Sequence, residues 1–164
     1  MKKTIYLIIS FIFLTYINAC SGYKPIFGSS NLQFEIADHL IKGNKKLGNQ
    51  IYSKLYNLSN SNKNNPDSQS IHIVIETTKD KIPTVKNSAG KILEYKITLN
   101  TNVIINDYLS DKLILNKNFT YFSSYKVQDQ HSETVKTENT IIEYLLNQTY
   151  QSLLIQMSES MLAS

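Results

Sequence analysis

Two stretches of strict alternation constrain this chain more than any other feature: "KILEYKITLNTNVIIND" (91 to 107) and "KLILNKNFTYFSSYKV" (112 to 127). In the first, Leu93, Tyr95, Ile97, Leu99, Val103 and Ile105 fall on odd positions, with Lys96, Thr98, Asn100 and Asn102 between them. The second, after a turn near residues 107 to 111, repeats the pattern with Leu113, Leu115, Phe119, Tyr121, Tyr125 and Val127. Successive strand side chains point to opposite faces, so each run has one apolar and one polar face. Long one-sided strands imply antiparallel pairing with a core on one side only.

The rest of the sheet and its cover follow. "IHIVIETT" sets Ile71, Ile73 and Ile75 against His72, Val74 and Glu76, and "LQFEI" sets Leu32, Phe34 and Ile36 against Gln33 and Glu35. Between them Leu47, Ile51, Leu55 and Leu58 fall on one side of a helix expected from about 44 to 58. Gly48 weakens that helix by about 1 kcal/mol relative to Ala, so packing must hold it. Residues 59 to 70 read as a polar loop punctuated by Pro66-Asp67. A last helix opens at "HSETVKTEN", with Ser132 or Thr134 as cap and Glu133 and Glu138 near its positive end. Its stripe is Ile142, Leu145, Leu146, Leu153, Leu154 and Met157. The order strand, helix, strand, strand, strand, helix predicts an α+β domain: a four-stranded, mostly antiparallel sheet with two helices on one face.

The N-terminus has another purpose. Lys2 and Lys3 precede "TIYLIISFIFLTYI" (4 to 17), the length of a secretory apolar region and too short to cross a bilayer. Residues 1 to 19 are expected to be a signal peptide. Cys20, the chain's only cysteine, cannot form an internal disulfide. "Ile17-Asn18-Ala19-Cys20" resembles a bacterial lipobox, in which the cysteine becomes the first mature residue and carries lipid; ordinary cleavage after Ala19 is the alternative. Gly22, Pro25 and Gly28 make residues 20 to 30 an extended tether, and 31 to 164 form the single domain.

Charge and motifs exclude several functions. Loss of Lys2 and Lys3 lowers the formal net charge from +4 to +2, too little for nucleic-acid binding, and every basic residue is Lys. His39, His72 and His131 have no metal-ligand spacing; His72, on a polar strand face, reads as solvated or hydrogen-bonded. "His131-Ser132-Glu133" holds triad residue types, but neighbours in sequence cannot form the relay geometry. No nucleophile elbow, phosphate loop or acid–base pair is present. The expectation is a protein without catalysis, cofactor or metal. Lys79, Lys81, Lys86 and Lys91, in a segment read as a hairpin loop, are either solvated or a contact for anionic lipid phosphates. Tyr121, Phe122 and Tyr125 read as sheet packing.

Three stretches resemble the LPS-assembly lipoprotein LptE family, in its alphaproteobacterial form. They are "ACSGYKPIFG", with Ser21 inserted between Cys20 and Gly22, the paired strands from "SAGKILEY" to "SSYKV", and the helix after "HSETVKTEN". The resemblance implies a lipoprotein held at the periplasmic side of the outer membrane, acylated at Cys20. It implies a plug that supports assembly of the β-barrel partner LptD and contacts lipopolysaccharide on its way to the outer leaflet. The competing expectation is a lipoprotein of another class, a small-ligand binding or transport-accessory module.

Overall fold

The computed structural model describes residues 32 to 61 and 68 to 162; the expected signal peptide, Cys20 and tether lie outside the described residues. In chain order the elements are β1 (Phe34–Gly43), α1 (Lys45–Ser61), β2 (Gln69–Lys86), β3 (Ile92–Asp107), β4 (Leu113–Lys126) and α2 (His131–Leu162). The sheet order is β1-β2-β3-β4. β1 and β2 are parallel, and the other two pairings are antiparallel. Parallel neighbours need a crossover, which α1 supplies. This is the α+β arrangement the alternation predicts.

β1 is twice as long as its period-two pattern shows. A register shift lies between Ile36 and Asp38, so Ile36 pairs with Ile71, while His39 and Ile41 pair with Ile73 and Ile75. The extra residue changes the parity of the inward positions and conceals the second half of the strand from simple alternation. β1 ends at Gly43 (φ +68°), where a Cβ would lie 2.3 Å from the Thr77 carbonyl oxygen. Only glycine combines that conformation with so close an approach.

Asn44 caps α1: its Oδ1 accepts the Leu47 N–H at 3.2 Å. The helix runs to Ser61, past its expected end, because a tertiary bond holds its last turn. Ser59 is buried there and its Oγ accepts the Ile36 N–H at 3.2 Å. A Cβ on Gly48 would lie 2.6 Å from Ile41 Cγ2, so this glycine sets how closely α1 approaches β1.

Both helices pack on one face of the sheet. Ile51 and Leu55 from α1, Leu145, Leu153 and Met157 from α2, and Ile71, Ile73, Ile75, Ile97, Leu99, Val103 and Ile105 from the strands form one buried core. Each such aliphatic contributes about 1.5–3 kcal/mol on burial. Leu93, Leu113 and Val127, expected on the inward face, are not in it. A register shift between Ile105 and Asn106 pairs Leu113 with Asn106, which leaves Leu113 exposed and half-buries Ile114 against the core. Leu93 is exposed beyond the main cluster.

α2 spans 32 residues, about 48 Å. Its cap is neither Ser132 nor Thr134. The Gln130 carbonyl accepts the Thr134 N–H at 3.2 Å, so the cap position is Gln130. Thr134 is buried inside the first turn, where its hydroxyl accepts the Gln128 N–H at 2.9 Å.

Candidate interaction surfaces

The segment expected to be one lysine-rich loop is mostly strand. β2 continues to Lys86, and the turn occupies only residues 87 to 91. Asn87 builds that turn, its Oδ1 accepting the N–H groups of Ala89 and Lys91 at 3.0 and 2.9 Å. The pairing of β1 with β2 ends at Gly43 and Thr77. Farther along, β2 is an edge strand, which is why Pro83, with no N–H to donate, is tolerated there. The result is an arm in which β2 and β3 keep β4 as a third strand as far as Glu94 and only the last residues before the turn are two-stranded.

Lys79 and Lys81 hold this arm to α2. The Lys81 ammonium is 2.6 Å from Glu138 Oε2, and that of Lys79 is 3.4 Å from Oε1. The Tyr125 hydroxyl donates to Glu138 Oε2 at 2.8 Å. Lys81 also sits 4.3 Å above the Tyr95 ring, a cation–π contact. Burial works to raise the Glu138 carboxyl, but hydrogen bonds from Lys81 and Tyr125 outweigh it and leave the group below its ordinary range. Burial likewise works to lower the Lys81 ammonium, and its bonds to Glu138 and Tyr125 leave it raised.

Lys79 and Lys81 thus meet at Glu138, while Lys86 and Lys91 flank the turn. Lys91 and Lys81 share a recess of about 390 Å³ with Tyr95, Gln128, Asp129 and His131. Lys79 faces a separate groove of about 370 Å³ with Lys46 and Glu143. Lys86 is exposed near the turn. Glu138, which organises the cluster, reads in the sequence only as a helix-start charge. Its lysine partners lie 59 and 57 residues away, beyond any local pattern.

The opposite sheet face carries no described helix, since both helices pack against the core side. It is mostly neutral and polar. Asn102 opposes Asn118, and Thr120 Oγ1 donates to Asn100 Oδ1 at 2.8 Å across the strands. Leu40, Val74 and Ile104 form a single apolar row, directly opposite one another on three strands. His72 is hydrogen-bonded as its polar position predicts, with Nδ1 3.0 Å from Asp38 Oδ2. Tyr125 is buried and Tyr121 half-buried, as sheet packing requires. Phe122 departs from that expectation: it is exposed on the polar face, with the Lys96 ammonium 4.5 Å above its ring.

Between α1 and α2 runs a groove of about 430 Å³ lined by Asn49, Gln50, Ser53, Lys54, Glu143, Leu146 and Asn147. Lys54 Nζ donates to Asn147 Oδ1 across it. Six of the seven side chains are polar, yet the surface they present is largely aliphatic stem together with Leu146, in a cleft that is open rather than enclosed. No group of three or more His, Cys, Asp or Glu that could hold a metal occurs among the described residues.

No family model and no curated protein sequence matches this chain. Solved structures do. A minor lipoprotein from Acinetobacter baumannii is 16% identical with a TM-score of 0.55, over 78% of this chain and 93% of that one. Lipoprotein B from Nitrosomonas europaea is also 16% identical with a TM-score of 0.55, over 84% and 90%. Rare lipoprotein B from Shewanella oneidensis is 10% identical with a TM-score of 0.50, over 77% and 96%. The sheet of four strands with two helices is thus a fold found in bacterial lipoproteins.

Proposed function

We propose that this chain is an outer-membrane lipoprotein of the LptE type. In this reading Cys20 carries lipid at the periplasmic side of the membrane. The domain plugs the LPS-translocating β-barrel LptD, supports its assembly and contacts lipopolysaccharide in transit. The chain acts without catalysis and without a cofactor, and nucleic acid is not a partner. The observation that carries the reading is the sheet face that no described helix covers, broad, mostly neutral and rich in Asn and Thr. Such a face suits a hydrophilic barrel wall, where amides and hydroxyls can exchange water for protein partners at little net cost. The lipobox-like "INAC" and the fold shared with bacterial lipoproteins support the same reading. In this reading Lys79, Lys81, Lys86 and Lys91 would supply charge toward lipid phosphates along the arm, Lys81 only by sharing its ammonium with Glu138.

The test is purification of the full chain from its native membrane in mild detergent, with co-purifying proteins identified by mass. Recovery of a large β-barrel in stoichiometric amount is the expected result. Recovery with no barrel, or with a transport complex of another kind, would overturn the plug reading in favour of an accessory module.

A further inference from the structure

One end of the sheet combines exposed apolar side chains with the point where the described chain begins. Phe34 pairs with Gln69, Ile71 with Asp107, and Asn106 with Leu113, so the starts of β1 and β2 lie level with the β3–β4 turn. The Tyr108 N–H donates to the Ser70 carbonyl at 2.9 Å, fixing the turn against β2. On that turn Leu109 is 87% exposed, Leu113 56% and Tyr108 52%; Leu109 is the most exposed large hydrophobic among the described residues.

The turn is rigidly built. Asp107 Oδ1 accepts the N–H groups of Leu109 and Ser110 at 3.2 and 2.8 Å and the Ser110 hydroxyl at 2.8 Å. Its Oδ2 accepts Gln69 Nε2 at 3.0 Å, and Asp111 Oδ1 accepts Asn106 Nδ2 at 3.1 Å. Both carboxylates are therefore engaged by neighbouring donors, while the tyrosine and two leucines project outward. The arm at the other end of the sheet is tipped by Asn87, Ser88, Ala89, Gly90 and Lys91; its exposed apolar side chains, Ile82, Val85 and Leu93, lie back from the tip, and none is as exposed as Leu109.

Eleven residues separate Cys20 from Leu32, a contour of about 40 Å at most. A lipid on Cys20 would hold this end near a bilayer at high effective concentration, so a small apolar contact would count. Tyrosine settles at a lipid interface, and leucine beside it supplies apolar surface to bury there. We infer that the β3–β4 turn is a second, non-covalent membrane contact, with Tyr108, Leu109 and Leu113 resting in the interface of the bilayer that holds the anchor. The turn end of the sheet then lies beside the anchored leaflet, with the Lys91 tip at the far end of the sheet. This inference rests on the lipid-anchor reading.

The test uses the full chain in phosphatidylethanolamine–phosphatidylglycerol vesicles, with an environment-sensitive fluorophore at Leu109→Cys or, as control, Ser88→Cys. Mass spectrometry reports whether Cys20 is acylated. The probe at 109 should be quenched by brominated lipid at least about threefold more than the probe at 88, with aqueous iodide giving the reverse order. Acylated, vesicle-bound protein whose probe at 109 is open to iodide would overturn this inference and leave the anchor standing. Protection from iodide without quenching by brominated lipid would assign the turn to a protein partner and overturn it as well. Unmodified Cys20 with the chain free in solution would remove the anchor reading, and the membrane contact with it.

Discussion

Lys81 and Glu138 lie 57 residues apart and meet at 2.6 Å, joining the far half of the β2–β3 arm to the start of α2. Beyond Thr77 the arm has lost its β1 neighbour, so on the β2 side this ion pair, with Tyr125 and Tyr95 beside it, adds a tie to α2 beyond the β3–β4 ladder.

Glu138→Gln is expected to cost about 1–2 kcal/mol, since the pair is only partly shielded from water. The pH dependence has a definite sign. The Glu138 carboxyl lies below its ordinary 4.5, so its contribution is full above that pH and disappears as pH falls through the lower folded value. The Lys81 ammonium lies above its ordinary 10.5, so its contribution is full below that pH and fades as pH rises through the higher folded value. Urea melts from pH 3 to 11 should therefore show a smaller loss on both limbs in the variant. Parallel curves would remove the pair from the arm's support.

Gly43 and Gly90 both have positive φ, +68° and +80°, but only one is crowded. Gly90→Ala meets nothing within 4 Å and should cost only the conformational penalty, about 1–2 kcal/mol. Gly43→Ala must also displace the Thr77 backbone, and about 3 kcal/mol or more is expected. Equal melting temperatures for the two variants would contradict the close approach at the end of β1.

Thr77 and Thr101 face each other across β2 and β3, both fully buried, and neither hydroxyl has a hydrogen-bond partner among the described residues. Burying an unpaired hydroxyl is unfavourable, so Thr101→Val should stabilise the domain by about 1 kcal/mol. Calorimetry decides the sign, and a lower melting temperature would show that the hydroxyl is paired after all.

The Asp107 carboxyl is held at about 2, against an ordinary 3.8, by the hydrogen bond from Gln69 and those from Ser110. Its stabilisation of the β3–β4 turn is thus complete above pH 3.8 and lost only as pH falls toward 2. Gln69→Leu should move the carboxyl upward in an NMR titration. An unmoved carboxyl would leave the Ser110 bonds as the whole cause.

The strands of this fold are legible because their periodicity is local. Ile97, Leu99, Val103 and Ile105 announce the inward face of β3 without help from the rest of the chain. Legibility fails where one residue changes parity, as at Ala37 in β1, or where a distant partner decides. Ser59 extends α1 by reaching Ile36, and Glu138 becomes a hub by meeting two lysines from β2. The candidate surfaces were the least legible part. Alternation shows that a polar sheet face exists, whereas the meeting of Lys79 and Lys81 at Glu138 depends on where α2 crosses the arm.

The spatial order of the strands, β1-β2-β3-β4, is also their order along the chain. Its consequence is kinetic. The β2–β3–β4 meander closes through short turns and can gather early, whereas β1 joins only after α1 has crossed back over the sheet, a longer and slower closure. The polar face is complete across three strands before the first is docked, so a chain caught between these steps already presents most of the surface offered to a partner. Pulsed hydrogen exchange during refolding should protect β3 amides before those of β1; simultaneous protection would mean that assembly is concerted.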